Sequence, residues 1–279
     1  MKILLTNREL CQLGGSELVT VELAEEFGRQ GHDVTVYTPR TGDLIDTSHL
    51  NVVTEKPNTA DFDLLWIHHN LLVYDLGFKK REGQKIVFNH MSSYVQLEWP
   101  QIASYQNGLA DLTLANSEET RDKLVALGLE SVKLFQNPAP KCFESLNRSS
   151  DYGLFVSNHR PLELYQATRD LGIECKFIGG EDMERITPDH MAGAAFVVCN
   201  GKSTQYAMRA RVPVFLYDHF FGSGWDFMAG EYWNFSGRGV PKADLSELSK
   251  WTQQGAGTCP ERFKLELCLQ ELLELKTNL

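Results

Sequence analysis

Residues 1–40, MKILLTNRELCQLGGSELVTVELAEEFGRQGHDVTVYTPR, read as one strand, turn, helix and second strand. Ile3-Leu4-Leu5-Thr6 is a short, mostly apolar run of the kind a strand buried on both faces requires. Leu13-Gly14-Gly15-Ser16 makes the turn, and Ser16 is the expected N-cap of the helix that follows. Val19, Leu23, Ala24 and Phe27 recur at helical spacing, and Gly31 falls where a helix end wants a left-handed residue. Val34-Thr35-Val36-Tyr37 is the second strand, and Thr38-Pro39 ends it. Two buried strands joined through a helix form a parallel unit with a right-handed crossover.

The alternation continues downstream. Apolar runs at 64–67, 86–88, 112–114 and 132–135 are separated by polar or helical stretches long enough for crossovers, and Asn116-Ser117-Glu118-Glu119 opens a helix with a cap and first-turn carboxylates. Asn137-Pro138-Ala139-Pro140 then resists helix and sheet, and a polar stretch follows it. A second set of strands is expected at 154–157, 175–178, 194–199 and 212–217, with helices near 161–171 and 203–211. Amphipathic stretches at about 243–254 and 260–277 close the chain. The expected fold class is therefore α/β, with an N-terminal Rossmann-like domain over 1–140 and a C-terminal one over 150–279.

At 279 residues the chain is long enough for two such cores, which excludes a small disulfide-stapled scaffold. Acidic residues number 37 against 27 Lys and Arg, a net charge of −10, so no broadly basic surface exists for DNA or RNA. The six cysteines are widely spaced with no C-x-x-C pair and read as reduced, structural residues. No signal-peptide core precedes the first strand, and no apolar run approaches the ~18 residues of a membrane span, so the expected location is cytoplasmic.

The Gly14-Gly15 turn lies between a strand and a helix N-terminus, where backbone N–H groups and the helix dipole favour an anion. It is not a dinucleotide fingerprint: a third glycine is missing, and Thr38-Pro39-Arg40 stands where an acidic residue would bind the ribose of NAD. Gly201-Lys202-Ser203-Thr204 mimics the end of a phosphate loop, but Phe196 stands where the first glycine would be, so it is no Walker motif. It remains a short turn into a helix with Lys202, Ser203 and Thr204 in the first turn, an arrangement suited to an anion. Asp61-Phe62-Asp63 has a spacing some sugar transferases use for a divalent metal. It precedes a strand, however, and so falls on the wrong edge, and no metal is expected.

Ligands of open parallel sheets bind beyond the carboxyl ends of strands, and several chemistry-bearing residues fall there. They include His68-His69-Asn70, Asn89-His90, Asn158 with Arg160 beyond it, and the stretch from Asp218 to Trp225, which mixes titratable, aromatic and glycine residues. No His/Cys metal spacing and no G-x-S-x-G nucleophile turn is present. Glu9, just past the first strand, is the one nearby carboxylate suited to act as a general base for an inverting reaction.

Taken together, Met1-Lys2-Ile3-Leu4-Leu5, Gly14-Gly15-Ser16-Glu17 and Gly31-His32-Asp33-Val34-Thr35-Val36 resemble the start of GT-B glycosyltransferases, in particular the retaining group called family 4. Leu114-Ala115-Asn116-Ser117, Gln136-Asn137-Pro138 and Gly201-Lys202-Ser203-Thr204-Gln205-Tyr206-Ala207-Met208 before Val212-Pro213-Val214 are similar to later parts of that family. The resemblance covers most of residues 1–230. It implies two Rossmann-like domains facing across a cleft, the second, shortened one gripping a nucleotide-sugar. His90 would contact the transferred sugar, and Gly14 and Gly15 would sit against the diphosphate or acceptor. Arg160 and Lys202 would neutralise the diphosphate while Ser203 and Thr204 add hydrogen bonds. Asn158, Gly179, Gly201, Gln205 and Asp218 complete the expected donor side. Two departures stand out: Tyr206 occupies the place of the family's ribose-binding glutamate, and Asn158-His159-Arg160-Pro161 replaces its usual Arg and Lys pair.

The implied activity is transfer of a hexosyl group from a nucleotide-sugar to a saccharide or lipid-linked acceptor in cell-surface polysaccharide synthesis. The expected reaction is retaining and independent of metal. The nucleotide-sugar is a substrate, so no cofactor is expected, and peripheral membrane association is a further expectation. Two other readings remain open from the sequence: a non-catalytic nucleotide-sugar or saccharide binding subunit, and a sugar-nucleotide epimerase of similar fold.

Overall fold

A computed structural model describes residues 1–69, 80–158, 162–169, 171–218, 222–225, 245–255 and 259–274. The chain divides into two compact units, Met1–Asn137 and Pro138–Leu279.

In the first unit the apolar runs form a parallel sheet of β1 (Lys2–Thr6), β2 (Asp33–Tyr37), β3 (Val52–Val53), β4 (Leu64–Ile67), β5 (Lys85–His90), β6 (Leu112–Ala115) and β7 (Val132–Leu134). The spatial order is β3-β2-β1-β4-β5-β6-β7, so the direction of winding reverses between β1 and β4. That reversal opens a crevice at the carboxyl edge of the sheet. Helix α1 (Gly15–Arg29) packs Val19, Leu23, Ala24 and Phe27 inward. Phe27 meets Trp66 edge-on at 5.8 Å between ring centres, and Trp66 meets Phe135 at 5.5 Å. Among the described residues two shorter helices follow, α2 (Ala103–Leu109) and α3 (Glu118–Ala126), the latter capped by the Ser117 side chain accepting from Thr120 N–H.

The α1 cap differs from expectation. Gly14 is the N-cap in extended conformation, its carbonyl accepts from Leu18 N–H, and Ser16 lies inside the first turn with its hydroxyl donating to Glu17 Oε2. The helix thus starts earlier than a side-chain cap at Ser16 would allow. Gly31 does take the left-handed conformation at the helix end (φ 83°).

The second unit is built on β8 (Tyr152–Val156), β9 (Glu174–Ile178), β10 (Ala194–Cys199), β11 (Val214–Asp218) and β12 (Gly222–Trp225). Its order is β9-β8-β10-β11-β12, which reverses between β8 and β10. β12 runs antiparallel along β11, so the residues from Gly222 to Trp225, expected in a ligand loop, pair as an edge strand. A short hairpin connection suffices for an antiparallel neighbour, whereas a parallel one needs a crossover.

The flanking helices are α4 (Leu162–Thr168), α5 (Pro188–Gly193), α6 (Lys202–Arg209) and α7 (Leu265–Glu274). The stretch expected as a helix over 243–254 forms a 3-10 run, Leu245–Gln253. The side chain of Arg209 in α6, fully buried, donates from Nη2 to Glu144 at 2.8 Å and from Nη1 to Glu266 of α7 at 3.1 Å and to the Ala139 carbonyl at 3.2 Å. One guanidinium therefore ties the start of this unit to its last described helix. Among the described residues no helix is long and apolar enough to cross a membrane.

Candidate functional site

In the second unit, three neighbouring strands end on the same edge. After β8 come Ser157 and Asn158, after β9 Gly179 and Gly180, and after β10 Asn200 and Gly201 leading into α6. The two sides of the winding reversal, β8 and β10, thus contribute Asn158 and Gly201. Asn158 Oδ1 accepts from Gly180 N–H at 3.3 Å, which binds the β8 end to the β9 end. Gly179 has φ 115°, and a Cβ there would collide with the Ser157 carbonyl oxygen, so only glycine lets these turns approach.

Gly201 (φ 61°, ψ −138°) is the N-cap of α6 and has no side chain to close over the first turn. Lys202 opens the helix; its ammonium donates to the Pro138 carbonyl at 2.7 Å and lies 5.1 Å above the Tyr206 ring. Ser203 is half-buried beside it. Thr204 and Gln205 are fully buried, and the Thr204 hydroxyl meets Cys199 Sγ at 3.6 Å. Of the expected donor residues on this helix, Lys202 and Ser203 therefore lie toward the edge while Thr204 and Gln205 turn into the core. Tyr206 is buried too, stacked on Phe143 at 4.4 Å. Asp218 ends β11 at the same sheet edge. Arg160 and the residues His219 to Phe221 lie outside the described residues.

At the carboxyl edge of the first unit, the winding reversal brings the chain after β1 against the chain after β4. His68 is fully buried: its Nε2 accepts from Asn89 Nδ2 at 2.9 Å and Trp66 Nε1 at 3.3 Å, so its proton sits on Nδ1, facing the Thr6 carbonyl and the Thr20 hydroxyl. Burial holds its pKa down to about 3. His69 is a left-handed residue (φ 59°), uncommon away from glycine and a mark of local constraint. Its Nδ1 accepts from Arg8 N–H at 3.1 Å, leaving Nε2–H toward Glu98 Oε1 at 3.4 Å. Burial, followed by the charge of Arg8, lowers it to about 4.

His90 is enclosed. Nδ1 donates to the Glu98 carbonyl, and Nε2 accepts from Gln106 at 2.8 Å. Burial lowers its pKa to about 4, so it is a neutral ring at ordinary pH. Glu98 Oε2 accepts from Met91 N–H at 3.0 Å, yet burial still pushes the carboxyl up to about 8. One residue, Glu98, thus positions two histidines, one with its carboxyl and one with its backbone.

Glu98 was not singled out from sequence; only the buried side of the short 3-10 turn Gln96–Glu98 reveals it. The expected general base, Glu9, is partly exposed and pairs with Arg40 at 3.4 Å. Glu17 folds back over the Gly14-Gly15 turn, where a Cβ at Gly14 would strike its carboxylate. Asp63, by contrast, sits at the amino end of β4. Its carboxylate accepts from Lys2 N–H at 2.9 Å and pairs with Arg81, and the Lys2 bond leads in holding its pKa below the usual range.

No family model matches the chain, and no curated protein does. Solved structures do match it. The Anabaena protein HepE in complex with UDP is similar over 100% of both chains, with a TM-score of 0.61 at 15% identity; the same protein was also solved with UDP-glucose. An alpha-glucosyltransferase in complex with UDP and a 13-mer DNA covers 91% of this chain and 89% of its own, with a TM-score of 0.54 at 10% identity. A putative UDP-N-acetylglucosamine 2-epimerase from Listeria monocytogenes covers 100% and 96%, with a TM-score of 0.52 at 10% identity. Likeness at such identities speaks to fold, and the fold is GT-B, built on two Rossmann-like domains.

Proposed function

We propose that the chain transfers a glycosyl group, of hexosyl type, from a nucleoside-diphosphate sugar to a hydroxyl of a saccharide or lipid-linked acceptor. The observation that carries this reading is the carboxyl edge of the second unit. There Asn158, the Gly179-Gly180 turn, Gly201 and the cationic first turn of α6 meet at the winding reversal. Similarity in fold to proteins solved with UDP and UDP-glucose supports it.

When the sugar's C1–O bond to the diphosphate breaks, the electron pair stays with the diphosphate. Lys202 and the backbone N–H groups of the glycine turns and of α6 are suited to stabilise that charge without reorganisation. Arg160 is assigned the same task. The acceptor oxygen forms the new bond to C1, and its proton passes to the departing diphosphate oxygen. Glu9, paired with Arg40, would take that proton only in an inverting reaction. His90, enclosed with both ring nitrogens bonded to the Glu98 carbonyl and Gln106, supports the acceptor side from within the first unit in place of the expected contact with the transferred sugar, and Glu98 positions it. The reaction is proposed as retaining and free of metal, in surface polysaccharide synthesis, with peripheral attachment to a membrane and a cytoplasmic location. A net charge of −10 favours a small diphosphate over a polynucleotide as partner, although one neighbour was solved with DNA.

The test is incubation with a panel of nucleotide-sugars, with and without saccharide acceptors, followed by mass spectrometry of the products. A glycosylated acceptor that disappears in Lys202→Ala supports transfer. The likeness to a putative epimerase favours one alternative: a changed sugar on the nucleotide without any acceptor would establish it in place of transfer. Failure of every nucleotide-sugar to bind would remove both.

A further inference from the structure

Residues 91–109, which follow β5 from the carboxyl edge of the first sheet, contain a single Asp, Glu, Lys or Arg, namely Glu98, and it is buried. In a chain that is 23% charged, this leaves an uncharged surface segment. It exposes Tyr94, Val95, Ile102 and Tyr105, each more than 40% accessible (49%, 46%, 55% and 42%). Exposed amides and hydroxyls of Gln96, Gln101 and Ser104 are interleaved with them.

The segment is held from beneath. Asn116 Nδ2 donates to the Met91 carbonyl at 2.6 Å, Ser92 Oγ accepts from the Tyr94 and Val95 N–H groups at 3.1 and 3.2 Å, and Trp99 Nε1 donates to the Ser93 carbonyl at 3.2 Å. Glu98 and Gln106 lock its inner side through His69, Met91 and His90. Two charges at its border are turned to aromatic groups: Glu119 accepts from the Tyr94 hydroxyl, and the Lys123 ammonium lies 4.3 Å over the Trp99 ring. A surface fixed in this way loses little entropy when it is covered.

We propose that this surface binds the uncharged saccharide portion of the acceptor, an inference that rests on the glycosyl-transfer reading. A pyranose presents C–H faces that pack against tyrosine rings, and hydroxyls around its rim that amide and hydroxyl side chains can pair. Rigid tyrosines with adaptable small polar neighbours supply both kinds of contact at low entropic cost. A phosphorylated or carboxylated ligand would want Arg or Lys here, and the segment has neither. A bilayer is the weaker fit, because inserting the segment would desolvate its glutamine and serine side chains, and no basic cluster within it would draw it to anionic lipid.

The full chain is probed with maltotriose, cellotriose and N,N′-diacetylchitobiose by saturation-transfer NMR, and with phosphatidylcholine/phosphatidylglycerol vesicles by sedimentation. At least one saccharide binds, and Tyr94→Ala and Tyr105→Ala weaken it by about fivefold or more, the loss expected on truncating an aromatic anchor. Val125→Ala, an exposed change on α3, leaves binding unaltered. No saccharide binding, equal binding in the tyrosine variants, or vesicle binding that depends on Tyr94 and Tyr105 in place of saccharide binding would each overturn the proposal. A UDP thermal shift separates the two readings. UDP binding without saccharide binding overturns this inference alone, whereas saccharide binding through the two tyrosines without UDP binding overturns the transfer reading alone.

Discussion

Nε2 of His69 lies 3.4 Å from Oε1 of Glu98, a contact that joins the chain after β4 to the chain after β5 at the carboxyl edge of the first sheet. Because His69 Nδ1 already accepts from Arg8 N–H, the same ring also reaches the chain after β1. Three strand ends are thus linked through one neutral imidazole and one buried carboxyl, and the stability of that arrangement depends on pH.

His68, His69 and His90 are held below the usual histidine value of 6.5, to about 3, 4 and 4. Between about pH 4 and 6.5 the unfolded chain binds protons at these rings that the folded chain does not, so stability is lost as pH falls through this window. Glu98, raised from 4.5 to about 8, acts in the opposite sense: the folded chain keeps a proton there that the unfolded chain releases, so stability falls as pH rises toward 8. Three groups outweigh one in the acid window, and Glu98 alone remains above it. Urea unfolding at stepped pH should give maximal stability near pH 6.5, with each net proton worth about 1.4 kcal/mol per pH unit. Glu98→Gln should flatten the alkaline side; an unchanged alkaline slope in that variant contradicts the assignment.

Lys202→Ala removes the cation from the first turn of α6. Isothermal titration should show UDP binding weakened by about 1.5–3 kcal/mol, the range for hydrogen bonds to charged groups. Lys202→Arg should recover part of it. Unchanged affinity in the alanine variant would place the diphosphate elsewhere.

Glycine is required at two turns for different reasons. At Gly179 a side chain meets the Ser157 carbonyl as well as a left-handed backbone, whereas at Gly201 there is open space and only the backbone conformation resists. Each alanine substitution should cost about 1–3 kcal/mol in thermal or urea unfolding, with Gly179→Ala the more damaging. Equal stability of Gly179→Ala and the parent chain would contradict the described turn.

Arg209→Met leaves Glu144 and Glu266 facing each other without their shared cation. Because both carboxylates left behind are partly open to solvent, losing the buried cation's hydrogen bonds should destabilise the chain by about 1.5–3 kcal/mol. Limited proteolysis should then cut near α7 before it cuts in the first unit; parallel cleavage of both would argue that Arg209 does not hold α7.

Buried parallel strands are nearly continuous apolar runs, and for that reason β4, at 64–67, and β10, at 194–199, could be read directly from the chain. Gly222 to Trp225 could not, because a glycine-rich edge strand has the composition of a loop and is defined only by its pairing with β11. Lys202 and Gly201 were legible through their place after a strand. The inward turn of Thr204 and Gln205 follows instead from how an eight-residue helix presents its faces to the core, which residue type alone does not declare. Glu98 illustrates the limit most clearly. A lone glutamate in a loop reads as a solvated charge, and only long-range packing places it beside His69 and behind Met91.

The central claim is that a nucleoside diphosphate is held where β8, β9 and β10 end. Titrating 15N-labelled protein with UDP and following backbone amides tests it most directly. The largest shifts should fall on Asn158, Gly179, Gly180, Gly201, Lys202 and Ser203. Saturable binding whose shifts cluster on other residues, or no binding, would contradict the account.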